Sequence, residues 1–138
     1  MIDDQTLNRL IDGALNIRLH AYAPYSKFKV GVALLAKSGE VYYGVNMENA
    51  IYRATHGESS ALNQAIIADE REFVAIAVAT DLPIPAVPCG QCRQDLREFN
   101  DGSLEIIAVN LQRKILRTTL EKLLPHSFGP EDLGVTEE

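Results

Sequence analysis

The sequence predicts an α/β domain in three layers, α/β/α, with a mixed sheet of about five strands at its centre. In the second half of the chain, apolar segments of strand length alternate with helical patterns, which is typical of parallel strands connected by helices. In the first half, two strand patterns flank a short segment that contains Gly39, and this predicts an antiparallel hairpin. The chain has 138 residues, 46% of them hydrophobic and 23% charged, which suits a single domain over residues 1–138.

The first half begins with an amphipathic helix. Asp3 or Asp4 can cap this helix, and apolar residues recur at helical spacing as far as about His20. The hairpin then follows, and after it comes a stretch with no clear period, which we expect to be a surface loop near the functional site. The two hairpin strands and this loop are predicted over residues 28–35, 41–45 and 46–54.

The second half is predicted to alternate helices with strands. A helix starts at Thr55, and the continuous apolar run over residues 73–79 predicts a strand that is buried on both faces. Residues 134–138, which end in two glutamates, are expected to form a frayed acidic tail. The remaining helices and strands are predicted over residues 89–99, 104–109, 114–118 and 120–124.

Two short segments carry residues that bind metals. His56 has a carboxylate two positions away, in Glu58, and the thiols of Cys89 and Cys92 lie three positions apart, directly after Pro88. His-x-Glu followed by Pro-Cys-x-x-Cys is the sequence signature of zinc deaminases that act on nucleobases. Either half alone is a modest signal. The two together, in this order, predict a zinc ion bound by His56, Cys89 and Cys92.

The chemistry of zinc explains why these residue types occur together. Three protein ligands leave one position of a tetrahedral ion for water, and zinc lowers the pKa of that water from about 15.7 to about 7. His56, Cys89 and Cys92 fall at predicted helix starts, where the positive helix ends favour thiolates. Proton transfer from this water needs a carboxylate close to the metal that does not bind it, and Glu58 follows His56 by two residues. We therefore predict that Glu58 is the catalytic residue that shuttles protons between water and substrate.

Each of these residues also has a structural interpretation. Thr55-x-x-Glu58 is a capping box, in which Glu58 would bond to the Thr55 backbone and have no chemistry. Cys89 and Cys92 would then be a redox pair or two inert thiols, and His56 a surface histidine. A redox pair, however, leaves His56 and Glu58 unexplained.

Charge and hydropathy limit the partners of the protein. Lys and Arg number 13 against 19 Asp and Glu, and the net charge of -6 offers no general attraction for a nucleic acid backbone. No segment approaches the roughly 20 apolar residues of a membrane span, and the N-terminus lacks the pattern of a secretory signal. Closely spaced cysteines also suit a reducing compartment. We expect a cytoplasmic protein with a single nucleoside as substrate and no nucleic acid or membrane partner.

Four segments carry more specific patterns than the metal-binding motif, at residues 21–31, 44–50, 88–94 and 124–133. These segments resemble the small cytidine deaminases of pyrimidine salvage, and the likeness covers nearly the whole chain. The resemblance implies a cytidine deaminase-like fold and the zinc-dependent hydrolysis of cytidine and deoxycytidine to uridine and deoxyuridine, with release of ammonia. It also implies a homotetramer whose sites are completed by neighbouring subunits.

The resemblance further implies how the substrate is bound. In the family, the residue that matches Phe28 packs on the pyrimidine, and the pair that matches Asn46 and Glu48 hydrogen-bonds the ribose 3′-hydroxyl. The backbone carbonyl of Val87 would accept from the 4-amino group. An aromatic face and an amide-carboxylate pair suit these roles. Judged without the resemblance, Phe28 would be a core residue of a strand.

Tyr52 and Phe128 are implied to reach into the pocket of an adjoining subunit. Both residues equally suit an interface that makes no contact with the ligand.

The chain departs from the family pattern at the first metal ligand. Small members usually read Cys-Ala-Glu-Arg where this chain has His56, Gly57, Glu58 and Ser59, and a histidine there resembles the larger, dimeric members, so a homodimer is the alternative. Three thiolates would leave the zinc site at a charge of about -1, which the usual arginine offsets. One neutral imidazole and two thiolates leave it near zero. We therefore expect that Ser59 can replace the arginine because no excess charge needs screening.

Three other functions stay open at this point. A deaminase of another cytosine nucleoside, of the blasticidin type, would keep the same metal site, although Asn46 and Glu48 favour an ordinary ribose. A catalytically silent zinc-binding module would use Glu58 only as a cap. A nucleic acid editor is disfavoured by the acidic balance of the chain.

Overall fold

Four α-helices, seven strands and one short 3₁₀ helix make up the described part of the chain, residues 1–135 of a computed structural model. The strands are β1 (Gly31–Ala36), β2 (Val41–Val45), β3 (Met47–Glu48), β4 (Ala54–Thr55), β5 (Phe73–Ala79), β6 (Glu105–Val109) and β7 (Ile115–Thr119). The helices are α1 (Asp4–Arg18), α2 (Gly57–Ile67), α3 (Gly90–Arg97), α4 (Leu120–Leu123) and the 3₁₀ helix Pro130–Leu133.

Five of the strands form one mixed sheet in the order β2-β1-β5-β6-β7. Strand β1 pairs antiparallel with β2 and with β5, which confirms the predicted hairpin. Strands β5 and β6 are parallel, but β7 runs antiparallel to β6. The expected parallel pairing therefore covers one pair of strands only, because a tight turn connects β6 to β7 where a parallel pair would need a longer crossover.

Helices cover both faces of the sheet, as predicted. Strands β1, β5 and β6 are buried on both sides, and alternate side chains enter opposite layers. No helix within residues 1–135 is long and apolar enough to cross a bilayer. The layer beneath α1 is formed by Leu7, Leu10, Ile11, Ala14, Ala33, Leu35, Ala75, Ala77, Ala79, Ile107 and Val109. The layer beneath α2, α3 and α4 includes Val32, Leu34, Ala61, Leu62, Ile76, Val78, Leu96, Ile106 and Leu120.

The start of α1 agrees with its prediction, and the loop over residues 46–54 differs from it in part. Helix α1 begins as expected, with the Asp3 side chain accepting a hydrogen bond from the Thr6 N–H at 2.8 Å, and it ends at Arg18. The predicted loop over residues 46–54 is partly wrong. This segment contains β3 and the first residue of β4, and the two strands pair with each other. Strands of two residues are too short to produce a period in the sequence.

The C-terminal end of the chain is described as far as Val135. Of the predicted acidic tail, residues 136–138 lie outside the described residues. The N–H groups of Gly134 and Val135 donate to the carbonyls of Glu131 and Pro130, which closes the 3₁₀ helix. The single domain over residues 1–138 and its frayed end stay predictions.

Glycine at position 44 lets α2 lie directly against β2. A Cβ atom at Gly44 would collide with the carbonyl oxygen of Gly57 and the backbone nitrogen of Ala61. The first turns of α2 therefore rest on the backbone of β2. This contact sets the position of the helix start that carries His56 and Glu58.

Candidate active site and metal centre

The three predicted metal ligands meet where α2 and α3 begin. His56 is the N-cap residue of α2, and Cys89 is the N-cap residue of α3. The Nδ1 atom of His56 lies 3.2 Å from Sγ of Cys92 and 3.4 Å from Sγ of Cys89. The ligand atoms of all three residues lie within 4.8 Å of one another. Two helix starts from distant parts of the chain thus present their donors to one point.

These separations fit a shared zinc ion. A tetrahedral zinc with bonds of about 2.0 Å to nitrogen and about 2.3 Å to sulfur holds such atoms about 3.6 Å apart. The measured distances of 3.2 and 3.4 Å are close to that value. One imidazole nitrogen and two sulfurs also match the chemical preference of zinc. His56, Cys89 and Cys92 are therefore the residues that would hold the ion.

The segment that presents Cys89 is fixed by Arg93. The Nε atom of Arg93 donates to the carbonyl of Pro88 at 2.7 Å, and its Nη1 atom donates to the carbonyl of Leu123 at 2.8 Å. Arg93 thereby ties the residue before the N-cap of α3 to α4. Cys89 is held at the start of its helix, with its thiol exposed.

Glu58 is buried in the first turn of α2, with 5% of its surface exposed. Burial raises the pKa of its carboxyl group and outweighs the lowering effects of His56 and Cys92. Thr55 belongs to β4, and His56 is the N-cap residue, so the capping-box interpretation of Thr55 and Glu58 is wrong. The carboxyl group interacts with the Cys92 side chain instead.

Cys92 is the most deeply buried of the three predicted metal ligands. Its side chain is buried, and burial raises the pKa of its thiol, with a further contribution from Glu58. A divalent cation has the opposite effect, because it stabilises the thiolate directly. A thiol enclosed beside a carboxylate is thus suited to a bound metal ion.

A cavity of about 330 Å³ opens beside the metal ligands. His56, Glu58 and Cys89 form part of its wall. Four residues that the sequence predicted for substrate binding also line it: Phe28, Asn46, Glu48 and Val87. The other lining residues are Ser26, Val30, Ala54, Gly57, Val78, Thr80 and Ala86.

Asn46 fixes the segment that carries Phe28. Its Oδ1 atom accepts from the Val30 N–H at 2.8 Å, and its Nδ2 atom donates to the Phe28 carbonyl at 2.8 Å. The amide side chain therefore brackets the backbone on both sides of one residue. The position of the aromatic ring in the cavity depends on this pair of bonds, which the sequence alone did not indicate.

Glu48 is held by the turn that precedes Phe28. Its Oε1 atom accepts from the N–H groups of Tyr25 at 3.1 Å and Ser26 at 3.0 Å, and the Ser26 hydroxyl donates to its Oε2 atom. The bonds from Ser26 are the main cause that lowers the pKa of Glu48. Glu48 is thus an ionised carboxylate in a fixed position at the cavity wall.

Tyr52 and Phe128 do not line this cavity. Tyr52 is 85% exposed and borders a neighbouring cavity of about 250 Å³, where its ring lies edge-on to Tyr25 at 5.7 Å. Phe128 is 58% exposed, and its carbonyl accepts from Nε2 of Gln94 at 2.9 Å. Both aromatic rings are presented at the surface of the single chain.

Sequence reasoning missed several residues of the site. Val78 and Thr80 lie at the end of β5, and the rule that ligands bind at the carboxyl ends of strands in α/β folds would have indicated them. Ser59 donates to Oδ2 of Asp95 at 3.0 Å and so connects α2 with α3. Two residues so far apart in the chain give no signal in sequence spacing.

Fold and site together define an α/β metalloenzyme in which His56, Cys89 and Cys92 form a candidate zinc centre beside the buried carboxylate of Glu58. Residues 4–108 match the family model described as the cytidine and deoxycytidylate deaminase zinc-binding region. The match covers most of the chain, and the chain therefore belongs to this family of zinc-dependent deaminases. Zinc is accordingly its metal cofactor.

Known relatives support the same assignment over nearly the full length. A cytidine deaminase of Sporosarcina psychrophila is 44% identical over 133 residues, which cover 96% of this chain and 98% of the relative. The crystal structure of a cytidine deaminase from Burkholderia pseudomallei superposes with a TM-score of 0.84 at 43% identity, and covers 88% of this chain and 98% of that one. A Mycobacterium tuberculosis cytidine deaminase gives a TM-score of 0.79 at 32% identity, with 94% and 99% covered. The predicted family and three-layer fold are confirmed.

Proposed function

We propose that this protein catalyses the zinc-dependent hydrolysis of cytidine and deoxycytidine to uridine and deoxyuridine, with release of ammonia, in pyrimidine salvage. One observation carries the proposal. His56, Cys89 and Cys92 converge next to the buried Glu58, at the wall of a cavity of about 330 Å³. Sites for small molecules occupy about 300–1,000 Å³, so the cavity suits one nucleoside.

Glu58 has two proton transfers to perform. When bound, zinc would act as a Lewis acid and lower the pKa of a water molecule to about 7. Glu58 takes one proton from the attacking water and gives it to ring nitrogen N3, while the water oxygen bonds to C4. Glu58 then moves the second proton from that oxygen to the amino nitrogen. The C4–N bond breaks, ammonia leaves, and the oxygen stays as the carbonyl of uridine.

The walls of the cavity supply contacts for the base and the sugar. Phe28 stacks on the pyrimidine, and the carbonyl of Val87 accepts from the 4-amino group. Asn46 and Glu48 hold the ribose 3′-hydroxyl, because an amide N–H can donate to it and a carboxylate can accept from it. All four residues line the cavity. The bonds of Asn46 to the backbone and of Glu48 to the turn keep both side chains in place before substrate arrives.

The active form is a homotetramer in which Tyr52 and Phe128 contact the pocket of an adjoining subunit, with a homodimer as the alternative. The exposure of the two rings, 85% and 58%, supports this arrangement, because aromatic residues are enriched in interfaces. Four chains of 15.2 kDa give a mass of about 61 kDa, and two give about 30 kDa. Light scattering on the eluting peak of a sizing column distinguishes the two.

We assign the protein to the cytoplasm, where a reducing environment keeps Cys89 and Cys92 as metal ligands.

Ammonia release from different substrates tests the function. Cytidine and deoxycytidine should both be deaminated, and a blasticidin-type nucleoside and a single-stranded polynucleotide should not. Zinc content is measured on the same samples. A preparation with bound zinc that releases no ammonia would be a silent metal-binding module, and release from the polynucleotide alone would indicate a nucleic acid editor. Either result would contradict the proposal.

A further inference from the structure

Thr80 combines a place in the active-site cavity with an unpaired polar group. It directly follows β5 and lines the cavity, with 2% of its surface exposed. Its backbone N–H donates to the carbonyl of Val109 at 3.1 Å. Its Oγ1 atom, in contrast, is buried and has no hydrogen-bond partner among residues 1–135.

An enclosed hydroxyl without a partner is costly for a folded protein. The great majority of buried polar side-chain atoms are hydrogen-bonded, and an exception often marks a functional site. Thr119 carries the other unpaired buried hydroxyl in the described part of the chain, but it lies at the start of α4 and does not line the cavity. Within residues 1–135, Thr80 is thus the only residue that has an unpaired buried hydroxyl and also lines the cavity where substrate would bind.

We propose that the Thr80 hydroxyl accepts a hydrogen bond from the 4-amino group of the bound cytosine base, an inference that rests on the proposed function. Thr80 directly after β5, Val87 in the loop that follows and Cys89 at the start of α3 all belong to the wall of the cavity. Cys89 is a metal ligand, and the carbon that loses its amino group must lie beside the metal. The amino group is therefore expected next to this wall.

A small movement gives the hydroxyl access to the ligand. The oxygen is enclosed in the free protein, so contact requires a rotation about the Cα–Cβ bond of Thr80. Threonine populates more than one such rotamer, and rotamer changes are common when ligands bind. The bond then satisfies a group that is unpaired in the free protein, which adds to the affinity for substrates that carry an amino group at this position.

Replacement of Thr80 by valine removes the hydroxyl but keeps nearly the same side-chain shape. The effect of the hydroxyl on substrate binding and its effect on the stability of the free protein can therefore be measured separately. We expect Thr80→Val to raise KM for cytidine by about 3- to 10-fold, the effect of one neutral hydrogen bond, with kcat within about twofold. The melting temperature of the substrate-free protein should rise, by roughly 3 °C, since the unpaired group is gone. Thr80→Ser keeps the hydroxyl and should keep the KM of the wild type. Thr119→Val, the matched control, should raise the melting temperature without a change in KM.

The zinc-loaded full chain is used for each measurement, with a pyrimidin-2-one ribonucleoside, which lacks the 4-amino group, as the second ligand. Its inhibition constant should be the same for Thr80→Val and wild type. The inference is wrong if KM is unchanged, if KM and the inhibition constant rise together, or if Thr80→Val melts at a lower temperature than wild type. A wild-type protein that releases no ammonia from cytidine would instead overturn the proposed function, and the role of Thr80 with it.

Discussion

Replacement of Gly44 by alanine should displace the start of α2 and impair both stability and turnover. The added Cβ would collide with the Gly57 carbonyl oxygen and the Ala61 nitrogen, and would lie 3.1 Å from the Ala61 Cα. Carbon atoms pack best about 3.5–4.0 Å apart, so the helix backbone has to retreat by roughly 1 Å. Backbone atoms cannot rotate away as a flexible side chain would.

The size of the effect follows from what α2 carries. Overpacking of this kind costs about 1–3 kcal/mol of the free energy of unfolding. His56 and Glu58 lie at the same helix start, and a displacement of about 1 Å at an active site can lower activity by about 100-fold. We therefore expect Gly44→Ala to lower the urea midpoint, to weaken zinc binding and to reduce kcat/KM by about 10- to 100-fold.

Gly90→Ala is the matched control for this experiment. Gly90 lies between Cys89 and Cys92, yet no described atom beyond its chain neighbours and its own helix lies within 4 Å of an added Cβ. Its urea midpoint and kcat/KM should stay close to those of the wild type. If Gly44→Ala also unfolds at the wild-type midpoint and turns over cytidine at the wild-type rate, the contact with β2 does not position the site.

Two further predictions concern charge. Burial raises the pKa of Glu105, but the hydrogen bonds from Arg117 at 2.7 Å and from the Ile2 N–H at 2.9 Å, together with the charges of Arg117 and the N-terminus, outweigh burial and leave the pKa below its ordinary value. The stability that the lowered pKa contributes is present above about pH 4.3 and is lost as the pH falls through the lower value of the folded state. Urea midpoints of Glu105→Gln should accordingly vary less with acid pH than those of the wild type, and an unchanged slope would refute the assignment. His56→Cys should retain zinc but lose turnover, because a third thiolate adds negative charge to the metal site. Adding Ser59→Arg to this variant should restore part of the turnover. The recovery is limited by the carboxylate of Asp95, which Ser59 contacts at 3.0 Å and which also attracts the arginine. Equal activity of the single and double variants would show that charge is not the cause.

Most of the fold could be predicted because its core strands have strong patterns. The apolar run that forms β5 matches its prediction from Phe73 to Ala79, since a strand buried on both faces needs no polar alternation. Strands β3 and β4 were not predicted, because two residues are too few to show a period. The antiparallel direction of β7 depends on how β6 and the turn pack, and strand propensity does not encode direction.

Part of the site could also be predicted, because its metal-binding and catalytic residues form a distinctive pattern in the sequence. His56, Glu58, Cys89 and Cys92 are chemically distinctive at fixed spacings, and the structure brings them together. The contact of Gly44 with α2 depends on tertiary packing, which no local pattern contains. The bonds of Asn46 to the Phe28 segment and the unpaired hydroxyl of Thr80 likewise appear only when distant segments are in place.

The proton-transfer role of Glu58 is tested most directly by measuring zinc content and cytidine turnover together on wild type and Glu58→Gln. Glutamine keeps the size of the side chain but cannot carry protons between water and base. We expect the variant to retain about one zinc per chain and to lose turnover by at least about 100-fold. A Glu58→Gln protein that binds zinc and deaminates cytidine at the wild-type rate would contradict the assigned role of Glu58 and the mechanism built on it.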